Sequence, residues 1–144
     1  MKVKDILRNK GSTVHSVPET AMTHDVAMRL RDLNIGAIVV TTSDGDFLGL
    51  VNERDLVRGV ANRGPGLFDL EVRALMSSVD CSCGPDDDVE SVMLTMTERR
   101  VRHIPVFDSG ALVGIVSIGD VVKQRLDELS IEAKTLHEYI SFPR

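Results

Sequence analysis

Gly45, Gly49 and Asp55 recur as Gly110, Gly114 and Asp120, each displaced by the same 65 positions. A lone Gly-x-x-x-Gly says little, but the residues between also match in kind: Phe47-Leu48 against Leu112-Val113, and Leu50-Val51 against Ile115-Val116. The match runs backwards too. Val3-Lys4-Asp5-Ile6-Leu7 parallels Val72-Arg73-Ala74-Leu75-Met76, and Gly36-Ala37-Ile38-Val39-Val40 parallels Arg102-His103-Ile104-Pro105-Val106, with small insertions between. Self-similarity at a fixed period marks one supersecondary unit made twice. Half of 144 residues buries too little surface to be stable alone, so the two copies are expected to share a core.

The core must be aliphatic, because 42% of the chain is hydrophobic yet it holds one Tyr, four Phe and no Trp. The scarcity of aromatic platforms and a net charge of -5 argue against nucleic acid as the main partner. No apolar run approaches the ~20 residues that span a bilayer, and neither end resembles a secretion signal. The chain therefore reads as cytoplasmic, with no membrane partner. Cys81 and Cys83 are the only cysteines, two apart, so that a strand would point both to one face. They read as buried or half-buried thiols, since a zinc site needs two further ligands and no Cys-x-x-Cys or His-x-x-x-His accompanies them. Asp86-Asp87-Asp88 suits a first helical turn better than magnesium, so no metal is expected.

Periodicity and punctuation set the elements. Thr13 to Val17 reads as a strand ended by Pro18, Thr23 as the cap of a helix from His24 to Leu33 with Val26, Leu30 and Leu33 inward, and Asn34 with Gly36 as its stop. Strands at Ala37–Thr41 and Phe47–Val51 flank the Ser43-Asp44-Gly45-Asp46 turn, and a helix follows over 52–61. The second copy repeats the order: strand 80–83, helix 87–100 with Val89, Val92, Met93 and Met96 inward, strand 103–107, strand 112–116 and helix 118–129. Each half is thus β-α-β-β-α. Asn62-Arg63-Gly64-Pro65-Gly66 reads as the linker, and 72–77 as a short helix leading into the second copy. The expected division is 1–66, 67–129 and a helical tail over 130–144, whose Ala133, Leu136, Tyr139 and Ile140 form a stripe that packs on the module or on a second copy.

This order of elements, the paired Gly signatures, the strand Arg102-His103-Ile104-Pro105-Val106 and the run Gly114-Ile115-Val116-Ser117-Ile118-Gly119-Asp120 resemble a tandem pair of CBS domains, the Bateman module. The resemblance spans residues 3 to 129 and departs at Asn52, where the family commonly has Ser or Thr. It implies an α/β fold of two pseudo-symmetric units packed through their sheets, with two clefts that hold adenosine derivatives such as AMP, ADP, ATP, NAD or S-adenosylmethionine. It also implies regulation without catalysis, and often a homodimer.

The residues suit that implication. Ser117 and Asp120 stand three apart at the start of a helix beside its unpaired N–H groups, and a carboxylate there accepts ribose hydroxyls. Arg102 and His103, at the head of a neighbouring strand, add donors for a phosphate. By resemblance, Ser117, Ile104, Asp80 and Cys81 would surround a ribose on Asp120, with Asn52 reaching in from the other unit. Asp55 would act likewise in the second cleft, where Ala37, Val14 and His15 would flank the base and Arg54, Arg102 and His103 would meet phosphates. The same Ser-x-x-Asp and Asn-x-x-Asp spellings are also plain capping boxes, which stabilise by ~1 kcal/mol without any ligand. No phosphate-binding Gly-x-x-x-x-Gly-Lys, Gly-x-Gly-x-x-Gly or His-Glu-x-x-His is present, so an enzyme is not expected. The leading expectation is an adenine-nucleotide sensor acting on an unidentified regulated protein. The alternatives are a structural dimerisation module without a ligand and a redox enzyme using NAD or the Cys81 and Cys83 thiols.

Overall fold

The structure is a computed structural model that describes residues 1–11 and 13–141, so the end of the expected tail at 142–144 lies outside it. Among the described residues, five α-helices and five strands follow in the order α1 (Val3–Lys10), β1 (Ser16–Pro18), α2 (Thr23–Leu33), β2 (Ala37–Thr41), β3 (Phe47–Asn52), α3 (Glu53–Arg63), α4 (Val89–Arg99), β4 (His103–Asp108), β5 (Ala111–Ser117) and α5 (Ile118–Ser141). One sheet runs β1-β2-β3, with β1 parallel and β3 antiparallel to β2. The other is the hairpin β4-β5. This is the expected α/β architecture with a C-terminal helix.

The chain divides into two units that are not the two stretches expected from sequence order. Thr13–Asp80 forms one unit; Cys81 onward forms the other together with the N-terminal segment that ends at Ser12. Each repeat's lead-in therefore packs in the unit built from the other repeat. Val3 and Ile6 of α1 are buried with Cys83, Val89, Val92, Met96, Ile104, Val106, Val116 and Val121. Val72 closes the core of Val17, Val26, Leu30, Ile38, Val40 and Val51. Each unit thus has its own cluster of buried apolar residues. The exchange is symmetric down to its hydrogen bonds: Val3 N donates to Asp87 O at 2.9 Å as Val72 N does to Ala21 O at 2.7 Å, and Lys4 N to Pro85 O as Arg73 N to Glu19 O.

The repeated glycines acquire reasons from this packing. A Cβ on Gly114 would stand 2.6 Å from Leu7 Cδ2, and one on Gly49 would stand 2.6 Å from Ser77 O and 2.8 Å from Met76 Cε. Leu7 and Met76 are matched positions of the two lead-ins, so each glycine clears room for the lead-in that docks on its strand. Gly45 and Gly110 instead hold φ of 88° and 82° in the hairpin turns, a region where a Cβ is strained.

Several local expectations change. Residues 80–83 form no strand; Cys83 alone bridges to Val106, with Cys83 N donating to Pro105 O at 3.0 Å and Phe107 N to Cys83 O at 2.9 Å. In the first copy Val39 N donates to His15 O at 3.1 Å, and its counterpart here is Pro105, which has no N–H to give. The first strand itself lies at Ser16–Pro18, later than Thr13–Val17. Thr23 is the first residue of α2 and not its cap; its hydroxyl donates to Leu70 O at 2.8 Å in full burial. Leu33 faces solvent, while Asn34 ends the helix at φ 52° as expected. The Gly-Pro-Gly linker is ordered, because α3 runs to Arg63 and Gly64–Asp69 winds into a 3₁₀ turn that buries Leu67 completely. The lead-in at 72–77 holds only a 3₁₀ turn at Val72–Ala74. Finally, α5 does not break at Ser130, and its residues 131–141 are all exposed, so the tail does not pack on the module.

Candidate functional site

In each unit the hairpin delivers the same constellation to one end of its strands. The β4-β5 register sets His103 opposite Ser117, and Ile118 N donates to Arg102 O at 2.8 Å. The β2-β3 register sets Ala37 opposite Asn52, and Glu53 N donates to Gly36 O at 3.1 Å. A helix starts at once from the second strand, so its first-turn N–H groups need acceptors. Both copies supply them by the capping box read from the sequence. Ser117 Oγ accepts from Asp120 N at 3.1 Å while Asp120 Oδ2 accepts from Ser117 N at 2.9 Å. Asn52 Oδ1 accepts from Asp55 N at 2.8 Å while Asp55 Oδ2 accepts from Asn52 N at 2.9 Å.

The two carboxylates part company at their third partner, which in both cases comes from a lead-in and was missed in the sequence. Ser77 Oγ donates to Asp55 Oδ1 at 2.7 Å. Both oxygens of Asp55 are then engaged, and the residue is only 6% exposed. At Asp120 the third partner is Lys10, the last residue of α1, whose Nζ donates to Asp120 Oδ2 at 2.6 Å and to Ile115 O at 2.9 Å. Both bonds to Asp120 fall on Oδ2. Among the described residues Oδ1 accepts none, and the side chain keeps 23% of its surface exposed. Burial by itself lifts the Asp120 carboxyl, but the hydrogen bonds from Lys10 and Ser117 outweigh it and hold the group below its usual value.

The remaining candidates sort by burial. Ile104, 1% exposed, is a core residue of β4, and Ala37 is buried in β2. His103, His15 and Val14 are half-buried, whereas Arg102, Arg54 and Asp80 are exposed. Cys81 is half-buried; desolvation pushes the buried Cys83 thiol up to about 12, which keeps it a thiol at neutral pH. Among the described residues no group of three or more His, Cys, Asp or Glu is placed to hold a metal ion, and no helix is long and apolar enough to cross a membrane. Neither Lys10 nor Ser77 carried a motif in the sequence. Each lies just beyond the matched stretches 3–7 and 72–76.

Comparison with known proteins agrees with this duplicated geometry. The family model of the CBS domain matches residues 3–62 and 72–127. A CBS-domain protein of Agrobacterium tumefaciens is 41% identical, with a TM-score of 0.84 over 87% of this chain and 99% of that one. A CBS domain protein of Pyrobaculum aerophilum, complexed with AMP, is 29% identical with a TM-score of 0.73, covering 83% and 89%. A mitochondrial CBS domain-containing protein of Arabidopsis thaliana is 29% identical over 96% of this chain and 71% of its own length. Two further relatives are spanned by this chain over 66% and 55% of their length.

Proposed function

Because this chain belongs to the CBS domain family, a tandem pair of which its two matched stretches form, we propose that it is a regulatory, non-catalytic module that binds an adenine nucleotide at Asp120. The observation that carries this reading is the uneven use of the Asp120 carboxylate. Oδ2 is fixed by Ser117 and Lys10, which orients the group, and Oδ1 is left for a ribose hydroxyl. An ammonium has three donors, and Lys10 spends two on Ile115 O and Asp120, so the third is available to a phosphate. The first-turn N–H groups of α5 and the exposed Arg102 add to the same attraction. The AMP in the Pyrobaculum relative supports the adenosine class, which includes AMP, ADP, ATP and NAD. Asp55, with both oxygens engaged, serves as a structural carboxylate, so one ligand per chain is the proposed stoichiometry. Regulation follows if the ligand favours one of two states of the surface presented to a partner protein.

A second reading, an assembly module without a ligand, draws on the fact that the capping box and Lys10 already satisfy Oδ2. Titration calorimetry with AMP separates the two. Asp120→Asn keeps an oxygen for the Ser117 N–H and loses the charge, and it is expected to weaken AMP binding tenfold or more, about 1.4 kcal/mol, while Asp55→Asn leaves it unchanged. Equal affinity in wild type and Asp120→Asn contradicts the assignment, and absence of AMP heat in the wild type favours the assembly module.

A further inference from the structure

The two ends of α1 are held in different ways. Val3 and Ile6 are buried and Leu7 packs against Gly114, so the first turns are fixed by apolar contact. Beyond them Arg8, Asn9, Lys10 and Gly11 are all exposed. Arg8 pairs with Asp5 of its own helix, and Gly11, at φ 88°, donates its N–H back to Leu7 O at 2.9 Å. Among the described residues, the hydrogen bonds that tie this last turn to the rest of the unit are those of the Lys10 ammonium, to Ile115 O on β5 and Asp120 Oδ2 on α5. That side chain is itself 37% exposed, and a partly exposed ion pair contributes little to stability, so it is readily exchanged.

We propose that Lys10 is an exchangeable latch: a phosphate-bearing nucleoside draws its ammonium off Asp120, and this exchange makes the site select phosphorylated ligands over bare nucleosides. The inference rests on the reading of Asp120 as the carboxylate that holds ribose. Each carboxylate oxygen has two lone pairs, and those of Oδ2 are both engaged, by Ser117 N and Lys10 Nζ. Oδ1 takes the first of two vicinal ribose hydroxyls, but the second needs room on Oδ2. Ser117 N–H cannot yield it, because it belongs to the backbone of the capping box. Lys10 can, since its ammonium rides on a flexible four-carbon stem. A bare nucleoside that displaces it leaves the ammonium without an anion, whereas a nucleotide brings a phosphate in exchange. Asp55 has no such latch, because its third partner is the neutral Ser77 hydroxyl. When the ammonium moves, the last turn of α1 is freed to follow it, and the chain beyond Ser12 continues into the other unit.

Titration calorimetry of the full chain with AMP and with adenosine, on the wild type and on Lys10→Met, tests the exchange. The wild type is expected to bind AMP about tenfold more tightly than adenosine. Lys10→Met keeps an unbranched stem and removes the ammonium. It is expected to bind adenosine about threefold more tightly than the wild type, because Oδ2 is then open, and to bind AMP more weakly, so that the preference is lost. A lysine that only attracted phosphate would leave adenosine unmoved. Equal affinity of the wild type for AMP and adenosine overturns the latch while AMP binding at Asp120 stands. So does an adenosine affinity that is unchanged or lower in a Lys10→Met variant with wild-type circular dichroism. A wild type that binds neither ligand overturns the latch and the nucleotide reading together.

Discussion

A carboxylate three residues into a helix can satisfy the chain with one oxygen and offer the other elsewhere, and which of these happens is decided by a single neighbouring donor. At Asp55 the donor is the Ser77 hydroxyl, neutral and short, which reaches the second oxygen and closes the group. At Asp120 it is an ammonium that doubles on the first oxygen and leaves the second. The Lys10 contact is partly exposed and contributes little to stability, well under ~1 kcal/mol, so its main effect is on charge and orientation. Because the folded-state pKa of Asp120 is depressed, the carboxylate stabilises the fold above its unfolded value of 3.8, and that contribution is lost as pH falls through the lower folded value. Lys10→Ala is expected to move the Asp120 titration upward, followed by carboxyl NMR shifts against pH. An unmoved midpoint would mean that Lys10 does not govern the group.

Between elements, the conserved spacing of the two copies is a spacing of docking points. Gly49 and Gly114 occupy the same step of their strands, but what a methyl group meets there differs. At Gly114 it meets the end of the Leu7 side chain, which can rotate away; at Gly49 it meets the Ser77 carbonyl, which cannot. Gly49→Ala should therefore cost about 2 to 3 kcal/mol in urea unfolding and Gly114→Ala nearer 1, in line with overpacking. The reverse order would show that the lead-ins dock differently. The helices and hairpins behind these contacts were legible in the sequence because periodicity, Asn34 and the Gly turns are local signals. The exchange of lead-ins was not, since Val3 and Val72 look alike and nothing local says which core each one enters. Pro105 was legible in principle as a break in β-pairing, and reading 80–83 as a strand overlooked it. The site was half legible: Ser117-x-x-Asp120 and Asn52-x-x-Asp55 stood out, whereas Lys10 and Ser77 reach them only through the fold.

For the molecule as a whole, Asp120 lies in the first turn of α5, a helix that continues unbroken to Ser141. With a net charge of -5, the proposed nucleotide binding would depend on the local cations Lys10 and Arg102. The most direct test of the central claim is thermal unfolding of ligand-stripped protein with AMP and, as control, GMP. AMP at ~100 times its dissociation constant should stabilise by about 2.7 kcal/mol, a rise on the order of 5 to 10 °C, with GMP producing much less. No rise with AMP, or the same rise with GMP, would contradict adenine-nucleotide binding at Asp120.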